Sequence, residues 1–132
     1  MDLTVTSGAL ATLLGEAERA GAEECCGLLL GERTRIEVAV PAANVAADRA
    51  RRFEIDPAAL FAAHRAAREG DGPVVLGYYH SHPRGPAEPS AEDRAQASGD
   101  GRVWAIVAGA TVRFWRDTSR GFEALSYTLA DG

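Results

Sequence analysis

The sequence predicts an α/β fold, a mixed β-sheet flanked by helices. Three observations lead there. Short runs of apolar and β-branched residues recur along the chain, amphipathic stretches with start and stop signals separate them, and no internal repeat or low-complexity tract interrupts the alternation. With 132 residues, 46% of them hydrophobic, residues 1–132 suit a single domain able to bury a core without disulfides.

Leu3 to Thr6 reads as a short first strand. Ser7 can cap a helix whose Leu10, Leu13, Leu14 and Ala17 fall on one face, with Gly21 placed to end it. Cys25 to Gly31 and Arg35 to Val40 read as a hairpin turning at Glu32-Arg33-Thr34 and closed by Pro41. Residues 42–52 lack periodicity and read as a solvated loop, after which Phe53-Glu54-Ile55 resumes a strand. Asp56 caps, and Pro57 opens, a helix running to about Arg68, with Gly70-Asp71-Gly72-Pro73 ending it. The run Val74-Val75-Leu76 into Gly77-Tyr78-Tyr79 reads as a buried strand. A short helix then starts at Ser90, and the apolar runs Val103 to Val107, Thr111 to Trp115 and Phe122 to Leu129 read as a meander.

Composition narrows the chemistry. A formal charge of -5 and the lack of a basic run interleaved with aromatics disfavour nucleic acid. All 14 basic residues are arginines, so neither a Schiff-base lysine nor a phosphate-cradling Walker lysine is available. The two cysteines, Cys25 and Cys26, are adjacent, which indicates packing on opposite sides of a strand rather than a disulfide framework or a nucleophile. Met1-Asp2-Leu3-Thr4-Val5 is not a charged lead before an apolar segment, and no stretch approaches the ~20 apolar residues of a membrane span. The expectation is a soluble cytoplasmic protein.

The informative stretch is His80-Ser81-His82-Pro83, followed by Ser90 and Asp93. On a strand, residues two apart share a face at roughly 6.6 Å spacing, so two neutral imidazoles can converge on one zinc ion at about 2.0 to 2.1 Å. Asp93 is the candidate oxygen ligand, leaving one position for water. Ser90-Ala91-Glu92-Asp93 also fits a capping arrangement at a helix start. The proline-rich turn Pro83-Arg84-Gly85-Pro86-Ala87-Glu88-Pro89 can reverse the chain and bring that helix start back to the histidines. Ser81 should face away from the metal, His64 reads as a residue of the second helix, and Trp104 and Trp115 as core or rim aromatics.

The pattern His80-x-His82, seven residues, Ser90, two residues, Asp93 resembles the JAMM motif of the MPN (Mov34/JAB1) zinc metallopeptidases, compact bacterial type. That resemblance implies the MPN/JAB1 architecture, which is cytidine-deaminase-like, and an upstream glutamate before a glycine and an apolar strand. In Glu24-Cys25-Cys26-Gly27-Leu28-Leu29-Leu30-Gly31, Glu24 rather than Glu23 holds that place. The resemblance implies Zn²⁺ on His80, His82 and Asp93, a zinc-bound water activated by Glu24 as base, and Ser90 donating to the oxyanion.

It further implies a peptidase or isopeptidase cutting the amide bond after the C-terminal Gly-Gly of a ubiquitin-like or sulfur-carrier protein. Only Ser98 to Arg102 separates the motif helix from the next strand, which leaves no room for the long insertion of linkage-specific deubiquitinases. Two alternatives are a noncatalytic MPN interaction module, disfavoured by the intact motif, and a zinc hydrolase acting on an unrelated small substrate or, by analogy to RadC proteins, a DNA-associated factor. RadC-type proteins typically carry asparagine where this chain has Ser81.

Overall fold

The structure, a computed structural model, describes residues 3–70 and 72–132. Eight strands form one sheet: β1 (Leu3–Thr6), β2 (Cys26–Glu32), β3 (Arg35–Ala42), β4 (Val74–Ser81), β5 (Val103–Ala108), β6 (Thr111–Thr118), β7 (Gly121–Leu125) and β8 (Tyr127–Ala130). Three helices accompany them: α1 (Ser7–Ala20), α2 (Pro57–Arg68) and α3 (Ala91–Gln96). Strand order is β7-β6-β5-β4-β2-β3-β1-β8, with β4–β5, β1–β3 and β1–β8 parallel and the other pairings antiparallel. The expected mixed α/β sheet is therefore present. Among the described residues, no helix is long and apolar enough to cross a membrane.

The single run expected over Phe122 to Leu129 is two strands that part at Ser126. β7 pairs with β6 at one edge, whereas β8 pairs with β1 at the other. Two consecutive strands can occupy opposite edges only if the sheet curls until those edges meet. The Leu3 amide donates to the Ser126 carbonyl at 3.0 Å, and the Phe114 and Tyr127 rings meet edge to face at 4.8 Å, closing the curl. Apolar content alone does not reveal such a corner, because both strands are equally apolar.

Other boundaries differ for local reasons. The cap of α1 is Thr6, not Ser7: its hydroxyl accepts from the Ala9 amide at 3.1 Å and donates to the Glu37 carbonyl at 2.7 Å. Pro41 does not close the hairpin but lies inside β3, opposite Gly27. β1 pairs with β3 only at Arg35 and Ile36, so a residue without an N–H is tolerated at the unpaired side. Phe53-Glu54-Ile55 is not a strand; only an isolated bridge joins Ile55 to Asn44. Asp56 caps α2 as expected, and Gly21 ends α1 at φ 60. Within the stop signal after α2, Asp71 lies outside the described residues, as do Met1 and Asp2.

The sheet has an apolar layer on each face. Leu3, Val5, Leu13, Leu29, Ile36, Tyr79, Ala105 and Phe114 form the larger cluster, with Leu10, Leu14 and Ala17 of α1 packed against it. Cys26, Phe53 and Trp104 centre the other. Cys25 packs with the first layer and Cys26 belongs to the second, as strand alternation requires.

Candidate metal centre

β4 alternates between these layers. Tyr79 faces the α1 side, while His80 turns to the Phe53–Trp104 side, stacked on the Phe53 ring at 4.3 Å and edge-on to Trp104 at 5.7 Å. His82 follows the strand, and its amide donates to the Val107 carbonyl at 2.8 Å, which holds it in strand geometry beside His80. Ser81, between them, points away: its hydroxyl accepts from the Cys25 amide at 2.9 Å, and its own amide donates to the Cys25 carbonyl at 3.1 Å.

Those two bonds extend the β2–β4 pairing past Cys26↔His80 and bring Glu24 level with His82. The Glu24 amide donates to the Arg49 carbonyl at 2.7 Å, and its carbonyl accepts from Asn44 Nδ2 at 2.9 Å. Gly27 is required nearby, because a Cβ there would collide with the Val40 carbonyl and the Tyr79 ring. Glu24 is 7% exposed, whereas Glu23 is exposed and paired with Arg49 at 3.3 Å. Burial pushes the Glu24 carboxyl up to about 7, and its Oε1 has no hydrogen-bond partner.

Ser90 and Asp93 form a complete capping box on α3. The Asp93 amide donates to Ser90 Oγ at 3.1 Å, and the Ser90 amide donates to Asp93 Oδ2 at 2.9 Å. The same carboxylate meets both imidazoles, with His80 Nε2 at 3.0 Å from Oδ1 and His82 Nε2 at 3.1 Å from Oδ2. The cap and the cluster are thus one structure. Each needs the other's geometry.

His80, His82 and Asp93 each offer one ligand atom within 4.8 Å of the others, all three residues being buried. The protonation pattern suits a cation. His82 Nδ1–H donates to the Pro86 carbonyl at 2.8 Å, so in the neutral ring Nε2 is a lone pair aimed at a carboxylate. The Nε2 atoms of both imidazoles and the Asp93 carboxylate converge in a buried place, a cluster that a shared proton or a metal ion holds together, and this donor set is one zinc accepts; His80 Nδ1, on the far side of its ring, is buried with no partner. Burial lowers the pKa of His80. For His82, burial is outweighed by Asp93 and Pro86, which raise it, and despite burial the two imidazoles hold Asp93 well below the usual carboxylate range.

A cleft of about 870 Å³ opens over Glu24, His82 and Ser90, with Arg51 and Arg84 also along it. No local sequence signal marks Phe53 against His80, the Pro86 carbonyl on His82, or Asn44, whose Oδ1 accepts from the amides of Ala46 and Glu54 at 3.0 Å each. His64 sits half-buried in α2. Burial raises both thiols, Cys26 to about 12, so neither is a ready nucleophile.

Residues 6–118 match the family of prokaryotic homologues of the JAB domain. The chain belongs to this family. It is 36% identical over 113 residues to a desampylase of Haloferax volcanii, covering 80% of each chain. A solved Desulfitobacterium hafniense structure aligns over 98% of this chain and 94% of its own, with TM-score 0.83 and 27% identity. A JAB1/MPN domain protein of Archaeoglobus fulgidus aligns over 97% and 98%, with TM-score 0.62 and 19% identity, a likeness of fold alone. The JAB/MPN resemblance carried by the histidine motif and the curled mixed sheet therefore agree.

Proposed function

We propose that residues 1–132 act as a zinc-dependent peptidase or isopeptidase, cutting the amide bond after the C-terminal Gly-Gly of a ubiquitin-like, sulfur-carrier type protein in the cytoplasm. The carrying observation is the convergence of His80, His82 and Asp93 beside a buried Glu24. Relatedness to a desampylase supports hydrolysis of a ubiquitin-like protein conjugate.

His80, His82 and Asp93 would hold the zinc ion, which would supply Lewis acidity and lower the pKa of water toward about 7. Glu24 serves as the base. Its carboxyl, near 7 and free at Oε1, is matched to take a proton at neutral pH and pass it to the leaving amine, a transfer worth about 10² to 10⁴ in rate. Ser90 Oγ accepts from the Asp93 amide through a lone pair, which leaves its O–H to donate to the developing oxyanion. Asp93 orients both imidazoles and, through the cap, holds Ser90 in place.

The connection from α3 to β5, residues 97–102, is short and tied down: the Ser98 and Gly99 amides donate to Asp117 at 3.0 and 3.1 Å. A compact rim of this kind favours a slender tail over a second folded modifier. The test is incubation with ubiquitin-like carriers extended beyond Gly-Gly, with and without chelator, read by intact mass. Chelator-sensitive loss of the extension is expected; an unchanged carrier at every metal condition contradicts the reading.

A further inference from the structure

The curled sheet has two ends, and only one holds the metal cluster. β4 delivers His80 near its C-terminal end, while Val75 lies five residues earlier, roughly 16 Å away in extended chain. At that far end an open pocket of about 300 Å³ is lined by Arg33 from the β2–β3 turn, Arg102 just before β5 and Arg116 of β6, with Asp100 among them over Val75 and Val103. Three arginines from separate elements line it, against the chain's formal charge of -5.

Two of the three are held in place. Arg102 meets Asp100 twice, its amide donating at 3.0 Å and its Nη1 at 3.2 Å, while its buried Nε has no partner. Arg116 Nη1 donates to the Gly101 carbonyl at 2.7 Å, a neutral acceptor, and Glu123, opposite it on β7, is not among the residues lining the pocket. Arg33 stands at φ 57, the one non-glycine residue with positive φ among the described residues, and has no carboxylate partner among them. Among the residues lining the pocket, three arginines stand against the single Asp100 carboxylate, an excess of two positive charges.

We propose that this pocket binds a phosphate-type dianion, free or as the monoester of a small molecule. A single carboxylate would leave one guanidinium unmatched, whereas a phosphate above its second pKa of about 6 carries two charges and presents oxygens suited to the guanidinium fork. A volume near the lower limit for small-molecule sites admits one phosphate and a small body rather than a dinucleotide. The site shares no residue with the metal centre and stands apart from the hydrolase reading.

The test uses whole protein stripped of metal and dialysed, so that phosphate cannot report on a metal at His80, His82 and Asp93. Inorganic phosphate and, in a second arm, glycerol 3-phosphate are titrated calorimetrically at low salt into the wild type, Arg33→Gln and Arg116→Gln. Saturable one-to-one binding in either arm is expected, with affinity reduced about tenfold or more in each variant, the loss of one charge-assisted contact. The arm that binds identifies the free or esterified form. Because Arg33 is exposed at a turn, its variant keeps the fold, checked by an unchanged circular dichroism spectrum. Absence of saturable binding in both arms, or equal affinity in Arg33→Gln and the wild type, overturns the proposal.

Discussion

Replacing Glu24 by Gln should stabilise the metal-free protein and abolish turnover at once. In an exposed chain this carboxyl titrates near 4.5; burial pushes it up to about 7 in the fold. The folded state therefore binds more protons than the unfolded state between those values, and stability falls as pH rises through that window. Above pH 7 the full cost is present, roughly 3 kcal/mol for a difference of this size. Below pH 4.5 it vanishes. Gln fills the same space without a charge, so the variant should match the wild type near pH 4.5 and exceed it by about 3 kcal/mol near pH 8. Urea unfolding of both proteins after metal removal, at several pH values, measures the difference directly. A constant gap across the range, or a less stable variant at pH 8, would refute the argument that Glu24 is held at an energetic cost for its chemistry. Zinc-loaded Glu24→Gln should then retain metal and lose carrier cleavage.

Three further outcomes follow from the same contacts. Ser90→Ala should lower kcat about 10² to 10³-fold and destabilise α3 by about 1 kcal/mol through loss of the cap, checked by steady-state kinetics and thermal unfolding. Phe53→Ala removes the ring stacked on His80 and in edge contact with Trp104, and should cost about 3 to 5 kcal/mol in denaturant unfolding. Iodoacetamide at pH 8 should leave activity intact, since burial raises both Cys25 and Cys26; rapid inactivation would restore a thiol role.

Local signals carried much of this. Asp56-Pro57 and Gly21 mark helix ends because capping and positive φ are properties of single residues. His80 and His82 were legible as a pair because strand alternation is local, and Asp93 because the proline-rich turn before it needs only a few residues to reverse. Ser90-Ala91-Glu92-Asp93 reads as a choice between a cap and a ligand, yet in the structure one carboxylate both completes the cap and meets the two imidazoles. What stayed hidden depends on contacts between distant segments. Glu24 needs the antiparallel register with β4, which the motif resemblance supplied and periodicity could not. Phe53 read as a strand residue because its role is set by a ring across the layer, and the corner at Ser126 depends on closure of the whole sheet.

The central claim is a single metal site made by His80, His82 and Asp93. Native mass spectrometry of protein reconstituted with zinc and desalted tests it most directly, comparing the wild type with Asp93→Ala. About one zinc per wild-type chain and a marked loss of zinc in the variant is the expected result. Equal zinc in both, or none in either, would contradict the site.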